Sequence, residues 1–552
     1  MKKILFTIGI ASLFLTSCSK TTTQAVTTNQ VDQKQPFVWN GANVYFLLTD
    51  RFNNGDVTND VNYGRTDKTA TLRGFEGGDI KGVIQKLKEG YFTDLGVNAI
   101  WMTPIVEQIH GSVDEGQGAT YGFHGYWTKD WTTLDKNFGT EEDLQELVNV
   151  AHSKGIRIML DAVINHTGPV TAIDEVFPKD WVRVSPQCTY DSYDNTVSCT
   201  LVKNLPDILT NSEQDVTLPP QLLEKWQREG RLRQEIEELN KFFAQYNLPK
   251  APKYYIMKWL SDYIRDYGID AYRVDTVKHT EEDVWKVFAK ICKDAFNEYK
   301  AKNPAKVLDQ NEFFLLGEVY NYSINEAQMF SFPDKKVNYF ENGFDALINF
   351  DLRSTQKETY QSLFNRYDDI LGNEMKGKTV MNYISSHDDG SPYDRERKDA
   401  WDAGTKLLLS PGISQIYYGD ETARPLIVNG ADGDANLRSF MNWNDIKEND
   451  ETKALLNHYQ KLGKFRHNHP AVGAGKQTVL KVDPYILHRK YNSDEVIIAL
   501  DYFREQKVID VANIWKDGTK VRDAYSGEIS IVKDGRIILA TTSDIVLLEK
   551  LN

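Results

Sequence analysis

Cysteine is scarce in this 552-residue chain, with four in all, and none stands in a spacing that ligates a metal or forms a redox pair. Cysteine-based metal and dithiol chemistry is thereby excluded. Positive charge is also in deficit: 65 Lys and Arg face 79 Asp and Glu, a formal net charge of −14. That balance argues against a polyanionic partner such as nucleic acid and suits calcium and a neutral ligand. Long apolar runs are missing too. The longest, ILFTIGIASLFL from Ile4 to Leu15, falls short of the ~20 residues a membrane-spanning helix needs. No internal repeat appears beyond an alternation of strand-like and helix-like stretches.

Aromatic residues are abundant, with 11 Trp, 28 Tyr and 25 Phe. They are flat faces that serve a core or stack on a sugar ring. A 41% hydrophobic and 26% charged composition is that of a globular protein, and the length suits a large domain with smaller ones attached. Lys2 and Lys3 ahead of the apolar run mark residues 1–18 as a secretory signal. LTSC resembles the lipobox of bacterial lipoproteins, which implies lipidation at Cys18, a membrane anchor and a place in the bacterial cell envelope, in the periplasm or on the outer surface. No acidic run follows Cys18, which favours the inner side. Residues 19–36 are polar and Thr/Gln-rich, as befits a flexible tether. Cys188 and Cys199 lie close enough to close a small loop by a disulfide in an oxidising compartment, whereas Cys292 on an apolar helix face reads as a buried thiol.

From NVYFLLTDRF onward, apolar strand-like runs alternate with helical ones and eight strands can be counted, the number that closes a TIM barrel. The expected fold is α/β, a (β/α)8 TIM barrel with an inserted subdomain after strand 3 and a C-terminal antiparallel β-sandwich. The barrel is expected over 37–165 and 253–469. The insertion, with an extra charged helix, is expected over 166–252 and the sandwich over 470–552.

Several strands end in a carboxylate: RIMLDAVINH at Asp161, AYRVDTVKH at Asp275, FFLLGEVY at Glu318, and TVMNYISSHDD at Asp388. In a parallel barrel such ends converge on one pocket, and two carboxyl groups of unlike pKa suffice to cleave a glycoside. Arg273 and Asp275 face the same side of an extended strand, so the cation can hold the carboxylate ionised. Glu318, ending an apolar run, is placed for a raised pKa and the acid role. Taken alone, a buried Arg–Asp pair is as readily structural.

The ordered segments DAVINH, NLPD, GIDAYRVDTVKH, GEVY and ISSHDD resemble the signatures of the α-amylase family of glycoside hydrolases. This resemblance implies Asp275 as nucleophile, Glu318 as acid and base, Asp388 as stabiliser of the distorted sugar, and retention of the α configuration. It further implies sugar contacts from Tyr126, His166, Arg273 and His387. Lys278 and His279, in VDTVKH, point to enzymes cutting α-1,4-glucans, so starch or maltodextrin is the expected substrate. The early blocks look closest to bacterial periplasmic α-amylases and cyclodextrin glucanotransferases.

Two calcium sites follow from the same likeness and suit a hard cation. The first takes Asn54, Asp56, Asn59, Asp60, Gly77 and Asp79. The second takes Asn165, Asp207 and the carbonyl of His279, with a fourth ligand expected from the insertion. An endo-acting, monomeric α-amylase is the leading expectation. The alternatives are a glucanotransferase, a cyclodextrin- or pullulan-degrading relative, and a non-catalytic glucan-binding barrel; the length favours hydrolysis over transfer.

Overall fold

The computed structural model describes residues 36–114 and 116–551. The signal, Cys18 and nearly all of the tether lie outside them. Eight parallel strands close into a barrel: β1 (Asn43–Leu47), β2 (Ala99–Met102), β3 (Arg157–Ala162), β4 (Ala271–Val274), β5 (Phe314–Gly317), β6 (Ala346–Asn349), β7 (Thr379–Tyr383) and β8 (Ile413–Tyr417). Each pairs with its neighbour in sequence, and β8 returns to β1. Every residue of these strands is buried, because helices cover one side and packed side chains fill the other.

The covering helices are α1 (Ile80–Glu89), α2 (Glu141–Ser153), α5 (Pro252–Tyr267), α6 (Glu282–Lys302), α7 (Tyr360–Gly372), α8 (Ala400–Leu409) and α9 (Asp450–Asn468), while α3 (Pro220–Arg228) and α4 (Leu232–Tyr246) belong to the insertion. Their starts follow from local chemistry. Asp79 accepts from the Gly82 amide at the head of α1, and Thr140 with Asp143 forms a capping box on α2, satisfying amides that have no partner inside the helix. One unit departs from the repeat: the stretch from β5 to β6 contains no α-helix. Tyr339 and Phe344, both buried, pack there instead, with Phe344 against Trp285 of α6.

The long insertion lies between β3 and β4 and is fastened by aromatic packing. Trp259 of α5 stacks near Trp181 of the insertion and Trp131, and meets Trp226 of α3 edge-on. All four indoles are at least 98% buried. The C-terminal strands are β9 (Lys476–Lys481), β10 (Tyr485–Tyr491), β11 (Asp494–Leu500), β12 (Lys507–Asp510), β13 (Lys520–Asp523), β14 (Ile529–Ile531), β15 (Arg536–Leu539) and β16 (Val546–Lys550). They form a six-stranded antiparallel sheet, β9-β10-β11-β16-β13-β14, and a pair, β12-β15. The two-residue alternation of β11 serves two cores. Ile497 and Ala499 join the sandwich interior, and Val496, Ile498 and Leu500 join the core shared with the barrel.

Candidate active site

Strand register assembles the centre of the site. Arg273 of β4 lies level with Asp161 of β3 and with Leu316 of β5. Glu318, two residues past Leu316, therefore points the same way. The buried guanidinium touches all three neighbouring acids: Nη1 donates to Asp161 Oδ1 at 2.9 Å and to Asp275 Oδ1 at 2.8 Å, and Nη2 lies 2.9 Å from Glu318 Oε2. Just past Asp275 the chain turns through a left-handed residue, Thr276, at φ 49°. Its amide donates to Glu318 Oε2 at 3.0 Å. A strained non-glycine conformation so placed serves to aim a donor.

The acids differ in environment. Burial pushes the Glu318 carboxyl up to about 8, opposed by Arg273 and reinforced by Asp275 and Asp388. Burial also raises Asp161, which accepts from the Tyr126 hydroxyl at 2.8 Å and from Trp101 Nε1 at 3.1 Å. Asp388 goes the other way. Burial would raise it, but His387, Arg273 and Arg438 outweigh that and hold it below the ordinary value. Its side chain, 40% exposed, opens to the cleft from a floor otherwise surrounded by protein. Burial lowers His387 to about 4, so its ring is neutral at neutral pH.

Asp275, His387 and Asp388 line a cleft of about 330 Å³ together with Tyr126, Trp127 and Arg438. A narrower recess beside it, lined by Glu318, Arg273 and Trp101, shares His387 and Asp388. The Tyr126 ring stacks on His387 at 5.1 Å and 12°, and Arg438 Nε donates to the His387 carbonyl at 2.8 Å. Buried ring nitrogens Nδ1 of both His166 and His387 have no hydrogen-bond partner among the described residues. Nε2 of His166 bonds the Tyr126 carbonyl at 3.1 Å.

Thus Tyr126, His166, Arg273, Asp275, Glu318, His387 and Asp388 are brought together. Lys278 is turned to the Tyr320 carbonyl and ring. The His279 ring bonds the Thr196 carbonyl and packs near Tyr190, so it braces the insertion and does not line the cleft. Asp161, one of the strand-end carboxylates, anchors Arg273 and Tyr126, and Trp101, which donates to it, is a site residue that the strand-end pattern could have named. Arg438 stands in a short helical turn far along the chain and carries no such signal.

At the first expected calcium site, Asn54 Nδ2 lies 2.9 Å from Asp60 Oδ1, and Asp79 accepts from Asn59 and from the amides of Gly55 and Asp56. A Cβ on Gly77 would stand 2.5 Å from Asn54 Nδ2 and 2.7 Å from Asp60 Oδ1. Asn54 Oδ1 and Asn59 Oδ1 are buried without a partner among the described residues. Unpartnered oxygens within such a cradle fit a hard cation. Asp56 contributes differently from the expectation: its carboxylate engages Lys81 and Thr58.

At the second, both Asp207 oxygens, Asn165 Nδ2 and Glu281 Oε1 are buried and make no hydrogen bond among the described residues. Arg183 Nε comes within 3.0 Å of Asp207 Oδ2 but is misaligned for a hydrogen bond. Burial, partly offset by Arg183, pushes Asp207 up to about 8. The carboxylate oxygens of this set also fit a cation; Asn165 Oδ1, the amide atom able to join them, accepts from Thr280 Oγ1 at 3.3 Å. Glu281, two residues after His279 in the barrel, brings a further carboxylate near Asp207. Among the described residues no three of His, Cys, Asp and Glu gather as a metal cluster, so amide or carbonyl oxygens would have to complete either set. Cys188 and Cys199 are joined by a disulfide with Cα atoms 4.9 Å apart, and Cys292 is a buried free thiol.

Residues 46–427 match the family model described as "Alpha amylase, catalytic domain". The chain is 36% identical over 526 residues to the periplasmic alpha-amylase of Escherichia coli (strain K12), covering 85% of this chain and 73% of that one. It is 28% identical over 478 residues to a cyclomaltodextrin glucanotransferase of Geobacillus stearothermophilus, covering 83% of this chain and 59% of that one. In fold it resembles an Anoxybacillus alpha-amylase, with a TM-score of 0.63 at 24% identity over 94% of this chain and 100% of the other.

Proposed function

Because the chain belongs to the α-amylase family of glycoside hydrolases, we propose that it hydrolyses internal α-1,4 bonds of starch and maltodextrins with retention of configuration. The observation that carries this reading is the single Arg273 guanidinium gripping both Asp275 and Glu318. Two acids held on one guanidinium can flank one glycosidic bond, as a nucleophile and its acid partner must. Glu318, protonated at neutral pH, gives its proton to the leaving oxygen as Asp275 attacks the anomeric carbon. The C1–oxygen bond breaks and a glycosyl ester forms on Asp275. Glu318, now ionised, takes a proton from water, whose oxygen displaces the ester and frees Asp275.

In this reading Tyr126 offers a ring face and His166 and His387 offer hydrogen bonds to the sugar before the cut, while Asp388 lies against its hydroxyls. Calcium would be held by Asn54, Asp60 and Asp79 at one site and by Asn165, Asp207 and Glu281 at the other. It would supply charge that ties loops together, leaving the proton and bond changes to the acids. The similarity to a periplasmic alpha-amylase supports a place in the bacterial envelope. Its lipid anchoring at Cys18 concerns residues outside those described. Similarity to glucanotransferases supports a second reading, transfer to another glucan. Incubating the protein with amylose and calcium separates them. Early mixed short linear products are expected, whereas cyclic or lengthened chains would establish transfer, and intact amylose would contradict both.

A further inference from the structure

Two acids stand side by side beyond the end of β7, and only one of them opens to the cleft. The Asp388 side chain is 40% exposed, while Asp389 is 3% exposed as a whole residue. Burying a carboxylate is costly unless it is paired and hydrogen-bonded, and Asp389 is both. The hydroxyl of Tyr383, the last residue of β7, donates to its Oδ2 at 2.6 Å, and the Ser391 amide donates to its Oδ1 at 3.0 Å. Arg353, four residues past the end of β6, brings Nε within 2.6 Å of the same Oδ2, an ion pair that is not aligned as a hydrogen bond. Its Nη1 donates to the Ser391 carbonyl at 3.2 Å. The guanidinium therefore clasps the turn 389–391 at both ends.

The clasp reaches both walls of the recess that holds Glu318. Phe350, which lines that recess with Asp388 and Tyr383, has the Arg353 guanidinium 5.9 Å from its ring centroid. It meets Tyr383 edge-on at 5.4 Å and Tyr320, two residues after Glu318, at 5.2 Å. On the other side of Asp388, Arg438 fixes the His387 carbonyl. Asp388 itself accepts from Ser386 Oγ at 3.1 Å. Its direction is thus set largely by how its two chain neighbours are held.

We propose that Asp389 and Arg353 are positioning residues for the reaction, fixing the turn after β7 so that the Asp388 carboxylate meets the sugar as it distorts. The inference rests on the role given to Asp388 in the proposed hydrolysis. A buried ion pair adds little net stability over a packed apolar pair, so geometry is what this one contributes. Asp389, enclosed by Tyr383 and Arg353, acts only through its neighbour. A contact made in the transition state and lost when a carboxylate is displaced lowers kcat and leaves KM in place.

The test is steady-state hydrolysis of an aryl α-maltotrioside by Asp389→Asn, which keeps the shape and removes the charge, and by Arg353→Met, which keeps an apolar stem over Phe350. Each should lower kcat by about tenfold to a hundredfold with KM little changed. Arg353→Lys, which keeps the cation, should recover part of the loss. In an Asp388→Asn background, where no carboxylate is left to aim, the same substitutions should cost almost nothing further. Thermal transitions identify the folded variants, and Arg353, whose side chain is partly open to solvent, decides the matter where Asp389→Asn does not fold. Full kcat in the folded variants, or the same fold-loss in the Asp388→Asn background as in wild type, would overturn the positioning role and leave the hydrolysis reading standing. Wild-type rates in Asp388→Asn alone would overturn the role of Asp388 and this inference with it.

Discussion

At the scale of single residues, the account turns on Glu318 remaining protonated where an ordinary glutamate would be ionised. Its carboxyl is raised from 4.5 to about 8, chiefly by burial, so hydrolysis should fall as pH rises through that value. Glu318→Gln should cost about 10²–10⁴-fold in kcat and abolish the alkaline limb of the residual rate. The same shift bears on stability. A raised folded pKa means that the native state holds the proton more tightly. The stabilisation is fully present below the unfolded value and lost between about 4.5 and 8. The glutamine variant should accordingly lose less stability than wild type between pH 5 and pH 9 in denaturant titrations; an equal loss in both would contradict the burial argument.

The sequence exposed the acids because barrel topology makes strand ends meet, and Asp275, Glu318 and Asp388 each end an apolar run. It could not expose the companions that strand period does not fix. Arg438 reaches His387 from a turn beyond the eighth strand, Asp56 is claimed by Lys81 across helix α1, and the His279 ring turns to the insertion. Glu281 was hidden for a similar reason. Nothing in a linear pattern tells whether a carboxylate two residues after a strand-end loop finds a partner.

At the scale of elements, the insertion is held chiefly by aromatic packing. Trp226 of α3 is fully buried against Trp259, and Trp226→Ala should cost about 3–5 kcal/mol, measured by urea titration. Because the catalytic strands do not depend on α3, protease cleavage should begin within the insertion, and first cuts in the barrel strands would contradict this hierarchy. The eight-strand rhythm and the terminal sandwich were legible as alternating patterns. The missing helix between β5 and β6 was not, because Tyr339 and Phe344 cover the barrel there without a helical period.

At the scale of the whole molecule, calcium is expected to join parts that the chain alone leaves uncompensated. Among the described residues, two amide oxygens at one site, and both oxygens of Asp207 with one of Glu281 at the other, are buried without a hydrogen bond. Chelation should lower the thermal transition, and calcium at a hundredfold excess over Kd should restore about 2.7 kcal/mol per site. Asn54→Ala and Asp207→Asn should each remove part of that response. A transition indifferent to chelator in the wild type would mean that Arg183 and the surrounding dipoles already neutralise these groups.

The central claim, that Asp275 and Glu318 on one guanidinium perform a double displacement, is tested most directly by proton NMR of the first products released from maltoheptaose, before mutarotation. The account predicts that the new reducing end appears as the α anomer and only later equilibrates. Initial appearance of the β anomer would mean a single displacement by water and would contradict it.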